Sequence, residues 1–441
     1  MLSIPHNDVL AKLPECELQS SLHQFLKPVT ALLPEPRLRA VAELMTQGIV
    51  TSQSPLVTQI ARGADHSDET VWPTCKRAYR FLANERFSHR TLLKGLYGTA
   101  QRAVAAQAPE YLVVAIDPVN FEKPYTRVLE GVSTVLKSTP PSLKGEKRLT
   151  RGYPAITATL VNLAQPAVTY ANWFSYVSED FVSQNREIYR ALRISCALFP
   201  GRKLRFVGDA GLDDQKIFAQ VARLNSEFVF RACHDRQVEV CNARLDRWEP
   251  DLLFELVGTV PFEFEQVIVF THARTVRRVR TGFGWFKIRL PETHQVLWAL
   301  VAHDFDDGHD LILLTNIPLE TADEVRAVYS DWRLRGRIEH GYRFDQEEGL
   351  DVEDLRVKSL ERMRRLFVLV LLAAQFVFYI GRTWPRASIL WLRQLGGKLG
   401  LKSDLDGPYV LLRGISAVWQ TVSTLAFLAN HPFPRSVPTC G

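Results

Sequence analysis

The chain has 441 residues, 46% of them hydrophobic and 23% charged, which is enough apolar material for sizeable cores and excludes wholesale disorder. Lys and Arg outnumber Asp and Glu by 54 to 48, and the net charge of +6 leans towards polyanionic partners. Six scattered cysteines with no C-x-x-C pair, and eleven histidines with no i,i+4 pair, exclude a zinc site and a secreted disulfide scaffold.

The same cysteine usage predicts a reducing, cytoplasmic setting, and the N-terminal residues show no basic and apolar regions of a signal peptide. One uncharged run, Leu366 to Ile380, falls short of the ~20 residues of a membrane span. Gln375 interrupts it and Arg364, Arg365 and Arg382 flank it, so it is expected to be a helix buried in the protein. No G-x-S-x-G, Walker A or G-x-G-x-x-G motif occurs.

In chain order, residues 1–105 read as helices: an apolar stripe from Arg37 to Gly48, then SPLVTQIAR, then CKRAYRFLANE. Three short helices with Lys76, Arg77 and Arg80 on the third fit a small DNA-binding bundle. From Tyr111 the texture becomes strand-like: YLVVAIDP ends at Asp117, and GYPAITATLVNLA and PAVTYANWFSYV follow. The stretch between the first two strands, residues 136–154, reads as a flexible basic loop. A helix (QNREIYRALRISCALF), a strand ending at Asp209, a second helix (DQKIFAQVARLN) and a strand (EFVFRACH) complete a β-β-β-α-β-α-β order. That order predicts an α/β fold with an RNase H-like catalytic core over residues 106–236. Residues 237–316 break the alternation and read as an inserted, mostly antiparallel β subdomain. Residues 317–351 read as a core helix carrying Glu339, and 352–441 as a C-terminal helical region.

Two strand-end carboxylates carry the chemistry. In such a sheet the ends of the first and fourth strands are neighbours, so Asp117 and Asp209 are expected to meet, where two carboxylates need a cation or a shared proton. Glu339 as a third ligand would complete a site for two Mg²⁺ ions, with Mn²⁺ as a substitute, able to activate an attacking oxygen and stabilise the leaving oxygen of a phosphodiester. Arg335, Glu339 and Arg343 are spaced to share one helix face, which places guanidinium groups one turn either side of the carboxylate to hold phosphates. In TVRRVRTGFGWFKIRL, Arg274, Arg277, Arg278, Arg280, Lys287 and Arg289 alternate with Phe283, Trp285 and Phe286, a pattern suited to gripping a backbone and stacking a base.

The segments IDPVNFEK around Asp117, VGDAGLDD around Asp209 and YSDWRLRGRIEHGYRFDQEEGL around Glu339 resemble bacterial insertion-sequence transposases with an Asp-Asp-Glu triad, of the insertion-sequence-four type. RAYRFLANERFSHRTL and LLTNIPL resemble the end of that family's N-terminal DNA-binding region and the strand leaving its insertion. The family signature is Tyr, two residues, Arg, three residues, Glu, six residues, Lys. Arg335 and Glu339 match it, while Trp332 stands for the Tyr and Gln346 for the Lys.

The resemblance implies a cut-and-paste DNA transposase that binds element ends in double-stranded DNA, acts as a homodimer with no membrane involvement, and works at the nucleoid. It implies DNA contacts from Arg335, Trp332, Arg343 and Gln346, and a base-holding role for Trp285. The C-terminal helices are the expected dimer contact. A nuclease of the same fold without strand transfer, and a transposase-derived DNA-binding regulator, are the alternatives.

Overall fold

The computed structural model describes residues 13–64, 71–124, 126, 128–137, 148–233, 235–242, 247–272, 275–337, 350, 352–397 and 407–430. The chain opens with α1 (Glu15–Thr30), α2 (Pro36–Ser52), α3 (Val57–Gly63), α4 (Val71–Leu82) and α5 (His89–Gln107). Pro36 starts α2, where its fixed φ and missing N–H cost nothing. Apolar side chains at helical spacing, such as Leu18, Leu22 and Leu26 of α1 and Ala42, Met45 and Ile49 of α2, turn inward.

What they meet is the far end of the chain. The C-terminal helices α10 (Leu360–Thr383), α11 (Arg386–Gly396) and α12 (Pro408–Asn430) share one apolar core with α1 to α5. Residues 1–105 and 352–441 were expected as separate regions, yet their helices are packed as one body. The reason is α10, apolar on all sides and buried continuously from Leu366 to Phe378, which must be wrapped all round. By length and composition α10 and α12 are long and apolar enough to cross a membrane, but α10 is enclosed here by α1, α2, α4, α5, α12 and the sheet.

α11 and α12 approach so closely that a Cβ on Gly414 would lie 1.9 Å from the Leu392 carbonyl oxygen. Gly414→Ala is therefore expected to destabilise the protein by at least about 2 kcal/mol, since backbone cannot yield as a flexible side chain would. An unchanged denaturation midpoint would mean the two helices can separate freely.

Charged groups tie this helical body to the sheet. Arg364 donates from Nε to the Trp173 carbonyl, 2.7 Å, and the Glu361 carboxylate accepts from the His89 backbone N–H, 2.9 Å, and faces His89 Nδ1 at 2.7 Å. Burial works to raise the Glu361 pKa, but the His89 hydrogen bonds and the charges of His89 and Arg365 outweigh it and hold it at about 2, against the usual 4.5. A carboxyl held low stabilises the fold above its unfolded value and loses that contribution as pH falls from 4.5 towards 2. Wild type should thus exceed Glu361→Gln in melting temperature near neutral pH, and the gap should close in acid; a gap constant with pH would remove the ionised carboxylate from the account.

The sheet begins with β1 (Leu112–Glu122), β2 (Ser133–Leu136), β3 (Leu149–Leu160) and β4 (Ala167–Trp173), joined through α6 (Gln184–Leu198) to β5 (Leu204–Gly208) and through α7 (Gln215–Arg223) to β6 (Glu227–Arg231). β4 pairs β3 and β3 pairs β1, both antiparallel, while β1, β5 and β6 run parallel. The stretch 136–154, read as a loop, is paired at both ends: β2 lies against β3 from Ser133↔Gly152 to Leu136↔Leu149. Residues 138–147 within it lie outside the described residues.

The expected inserted subdomain is not set apart. After β7 (Gln237–Asn242), β8 (Arg247–Leu252) and α8 (Leu253–Val257), the strands β9 (Phe264–His272), β10 (Thr275–Arg289), β11 (Val296–Asp304) and β12 (His309–Thr315) continue the same sheet, in the order β2-β3-β1-β5-β6-β12-β11-β10-β7-β8. β12 covers the otherwise open apolar edge of β6, with Leu314 opposite Phe230. α6, α7 and part of α5 bury one face of the central strands, and α9 (Ala322–Arg333) the other, giving three layers. A capping box between Thr321 and Glu324 starts α9.

Candidate active site

Strand pairing brings Asp117 and Asp209 together. β1 and β5 pair from Leu112↔Leu204 to Ala115↔Val207, and two more residues along each strand set Asp117 level with Asp209. Asp209 keeps an extended backbone, φ −87° and ψ −174°, so the strand geometry reaches it. Adjacent strands lie about 5 Å apart, and side chains alternate faces. Val113 and Ala115 on β1, and Val207 on β5, point into the core beneath α9, so both aspartates project on that face. Gly208 and Ile116 stay in close contact just before them, since a Cβ on Gly208 would lie 3.2 Å from the Ile116 carbonyl.

The Asp209 side chain is 41% exposed, and two arginines approach it, Arg231 Nη1 at 3.6 Å from Oδ1 and Arg335 Nη2 at 3.6 Å from Oδ2. Oδ1 itself is buried and accepts no hydrogen bond among the described residues. A buried carboxylate oxygen with no bonded donor leaves a coordination position open, although the two guanidinium groups oppose an added cation, which therefore needs the Asp117 carboxylate as well. Arg231 ends β6 and is level with Asp209 by the register Val207↔Val229, a neighbour that sequence reasoning missed because one Arg at a strand end makes no pattern.

Glu339, Arg343 and Gln346 lie outside the described residues, as does Arg274. Among the described residues no group of three or more His, Cys, Asp or Glu is placed to hold a metal ion.

Arg335 is not on the expected continuous helix. α9 stops at Arg333, Leu334 and Arg335 form a turn with Arg335 N–H bonded to the Trp332 carbonyl, and helical backbone resumes at Gly336. Tertiary contacts impose the break: Arg337 donates to the carbonyls of Val161, Leu163 and Ala164, and Trp332 Nε1 donates to the Gly208 carbonyl at 3.0 Å. Trp332, expected to touch DNA, is only 9% exposed, and the Arg335 guanidinium lies 4.8 Å from its ring.

The β9–β10 hairpin runs past the end of β11 as a two-stranded arm, because β9 pairs residues 275–283 of β10 and β11 pairs 281–289. Arg277 is paired with Asp304 and Asp307, at 3.3 and 2.7 Å, and Arg280 with Glu265 at 3.6 Å while lying over Phe305. Acids from β9, from the end of β11 and from the turn after it therefore offset a run that contains no acid of its own. Arg278 is exposed, beside the exposed Val267, Val269 and Val276. Of the interleaved aromatics Phe283 is fully buried, while Trp285 and Phe286 are half-buried, the Trp285 ring 6.2 Å from Phe264.

On α4, Thr74, Cys75, Ala78, Phe81 and Leu82 face the core, leaving Lys76, Arg77 and Arg80 outside with Trp72 and Tyr79. Lys76 Nζ lies 5.6 Å from the Trp72 ring, and Arg77 bonds Thr74 Oγ1 at 2.9 Å. The helix carries no acidic residue.

A scan against protein-family models and a search of curated proteins find no match to this chain.

Proposed function

We propose that the protein is a DNA transposase that cuts and joins phosphodiester bonds at the end of the sheet where Asp117 and Asp209 stand. The observation that carries this reading is the shared height and face of the two aspartates on neighbouring parallel strands. The strand order β4-β3-β1-β5-β6, with two antiparallel and two parallel pairings, supports an RNase H-like core.

Asp117 and Asp209 would hold Mg²⁺, with Glu339 as the candidate third ligand, and the ion would supply the positive charge that makes water or a 3′-hydroxyl nucleophilic and neutralises the leaving oxygen. The chain's own residues do the rest. Arg335, stacked on Trp332, and Arg231, at the end of β6, are within reach of a phosphate that approaches Asp209. Lys76 and Arg80 on α4 and Arg278 on the arm are exposed cations that a duplex could contact.

The test is nicking of a duplex carrying the DNA that flanks this gene, with Mg²⁺ and with a chelator. Metal-dependent nicks at a fixed position, followed by joined product, support the reading. Nicks without joining would favour a nuclease, and tight binding without nicks a DNA-binding regulator. Binding should also weaken by about 0.9 in log K per phosphate contact for each decade of salt. Arg278→Ala should lower that slope by about 1, and an unaltered slope would take Arg278 off the interface.

A further inference from the structure

We infer that the buried Arg205–Asp331 ion pair positions the Asp209 end of the site, by fixing the last turn of α9 at the height where Arg335 meets Asp209. This rests on the proposed cutting reaction at Asp117 and Asp209. Arg205 stands on β5, on the same face as Asp209 and four residues before it, so the strand that presents the carboxylate also carries the anchor.

Both members of the pair have side chains only 9% exposed. The Arg205 guanidinium is held from several directions. Nε and Nη2 donate to Glu227 Oε2 at 3.0 and 2.8 Å, Nη1 pairs with Asp331 Oδ2, and the group lies 4.7 Å from the Tyr111 ring. The Tyr111 hydroxyl donates to Asp331 Oδ2 at 3.0 Å. Burial opposes the Arg205 charge, yet the bonds to Glu227 and the attraction of Glu227 and Asp331 outweigh it and raise its pKa. The same burial raises the Asp331 pKa despite Arg205.

Ion pairs in such places are weak evidence for stability, and fixing register is their best-attested use. The rest of α9 meets the sheet through the apolar side chains Val325, Val328 and Tyr329, so its directional polar contacts to β5 come from Asp331 and Trp332. Asp331 and Trp332, consecutive residues, grip β5 at Arg205 and at the Gly208 carbonyl. With the last turn of α9 held at these two points, the position of Arg335, which follows in the next turn, is fixed.

Asp331→Asn keeps the size and the acceptor for Tyr111 while removing the charge. At saturating DNA it should slow single-turnover cutting about tenfold to a hundredfold, the usual range for a sub-ångström to ångström misplacement, with DNA affinity unchanged within about twofold. In an Arg335→Ala background, Asp331→Asn should add less than about twofold, because the two act through one contact.

A loss that multiplies fully with Arg335→Ala, or no loss at all, would overturn the positioning role while leaving the cutting reaction intact. Glu361→Gln, which weakens the fold elsewhere, should leave the rate unchanged; if it slows cutting as much, the effect is general destabilisation and the inference falls. Should Asp331→Asn fail to fold, Tyr111→Phe removes only one bond to Asp331, and a fewfold loss that vanishes in the Arg335→Ala background supports the same role, while its absence refutes it. A wild-type protein that cuts no supplied DNA would refute the reaction itself and this inference with it.

Discussion

Asp209→Ala should abolish metal-dependent cutting, by a factor of about a thousand or more, without unfolding the protein. One of two carboxylates at the head of the site would be gone, and a pair of metal ions held by two or three acids does not survive the loss of one. The structural cost is small. Asp209 is 41% exposed, its two arginine neighbours are 3.6 Å away, and Oδ1 makes no hydrogen bond among the described residues, so about 0.5 kcal/mol is at stake. With the carboxylate removed, Arg231 and Arg335 are left with excess positive charge, so DNA should bind as well as before or a fewfold tighter. Cutting at near wild-type rate, or loss of binding together with cutting, would contradict the assignment.

Arg365→Met should cost about 3 to 5 kcal/mol in stability. Arg365 is 6% exposed and donates to the carbonyls of Leu82, Asn84 and Phe87, at 2.9, 2.5 and 2.7 Å, while its Nε bonds Glu361 at 3.1 Å. The Leu82 carbonyl ends α4 and the other two belong to the link between α4 and α5, where no helical ladder satisfies them. Methionine fills the space of the aliphatic stem but leaves the three carbonyls without their donor, while Glu361 keeps its His89 partners, and each such group costs on the order of 1–3 kcal/mol where water cannot replace it. Denaturant unfolding of the two proteins measures the difference. A shift below about 1 kcal/mol would mean that water reaches this joint.

Local texture revealed part of this fold and not the rest. YLVVAIDP and LRFVGDAGL are legible as buried strands because β-branched and apolar runs end abruptly at an acid, and their placement with two crossover helices predicts parallel neighbours. Asp117 and Asp209 stand out in the sequence as the acids that end those two runs. What escaped depends on contacts between distant residues. β12 meets β6 across most of the stretch read as an insertion, so no window of sequence shows that it belongs to the main sheet. Helical periodicity runs on past Arg333, while the end of α9 is dictated by the Gly208 carbonyl and by three carbonyls after β3. The run of arginines in β10 shows no acid of its own because Glu265 and Asp304 come from other strands and Asp307 from the turn after β11. Arg205 did leave a signal: a charge inside the apolar strand LRFVG requires a buried partner.

The most direct test of the central claim, that Asp117 and Asp209 form one cation-holding centre, is to replace Mg²⁺ with Fe²⁺ and let ascorbate and peroxide generate radicals at the bound ion. The polypeptide should then be cut at two places, beside Asp117 and beside Asp209, with both cuts suppressed by excess Mg²⁺ and both lost in Asp209→Ala. Cuts at only one of the two, or a pattern that Asp209→Ala leaves unchanged, would show that the aspartates do not share a metal.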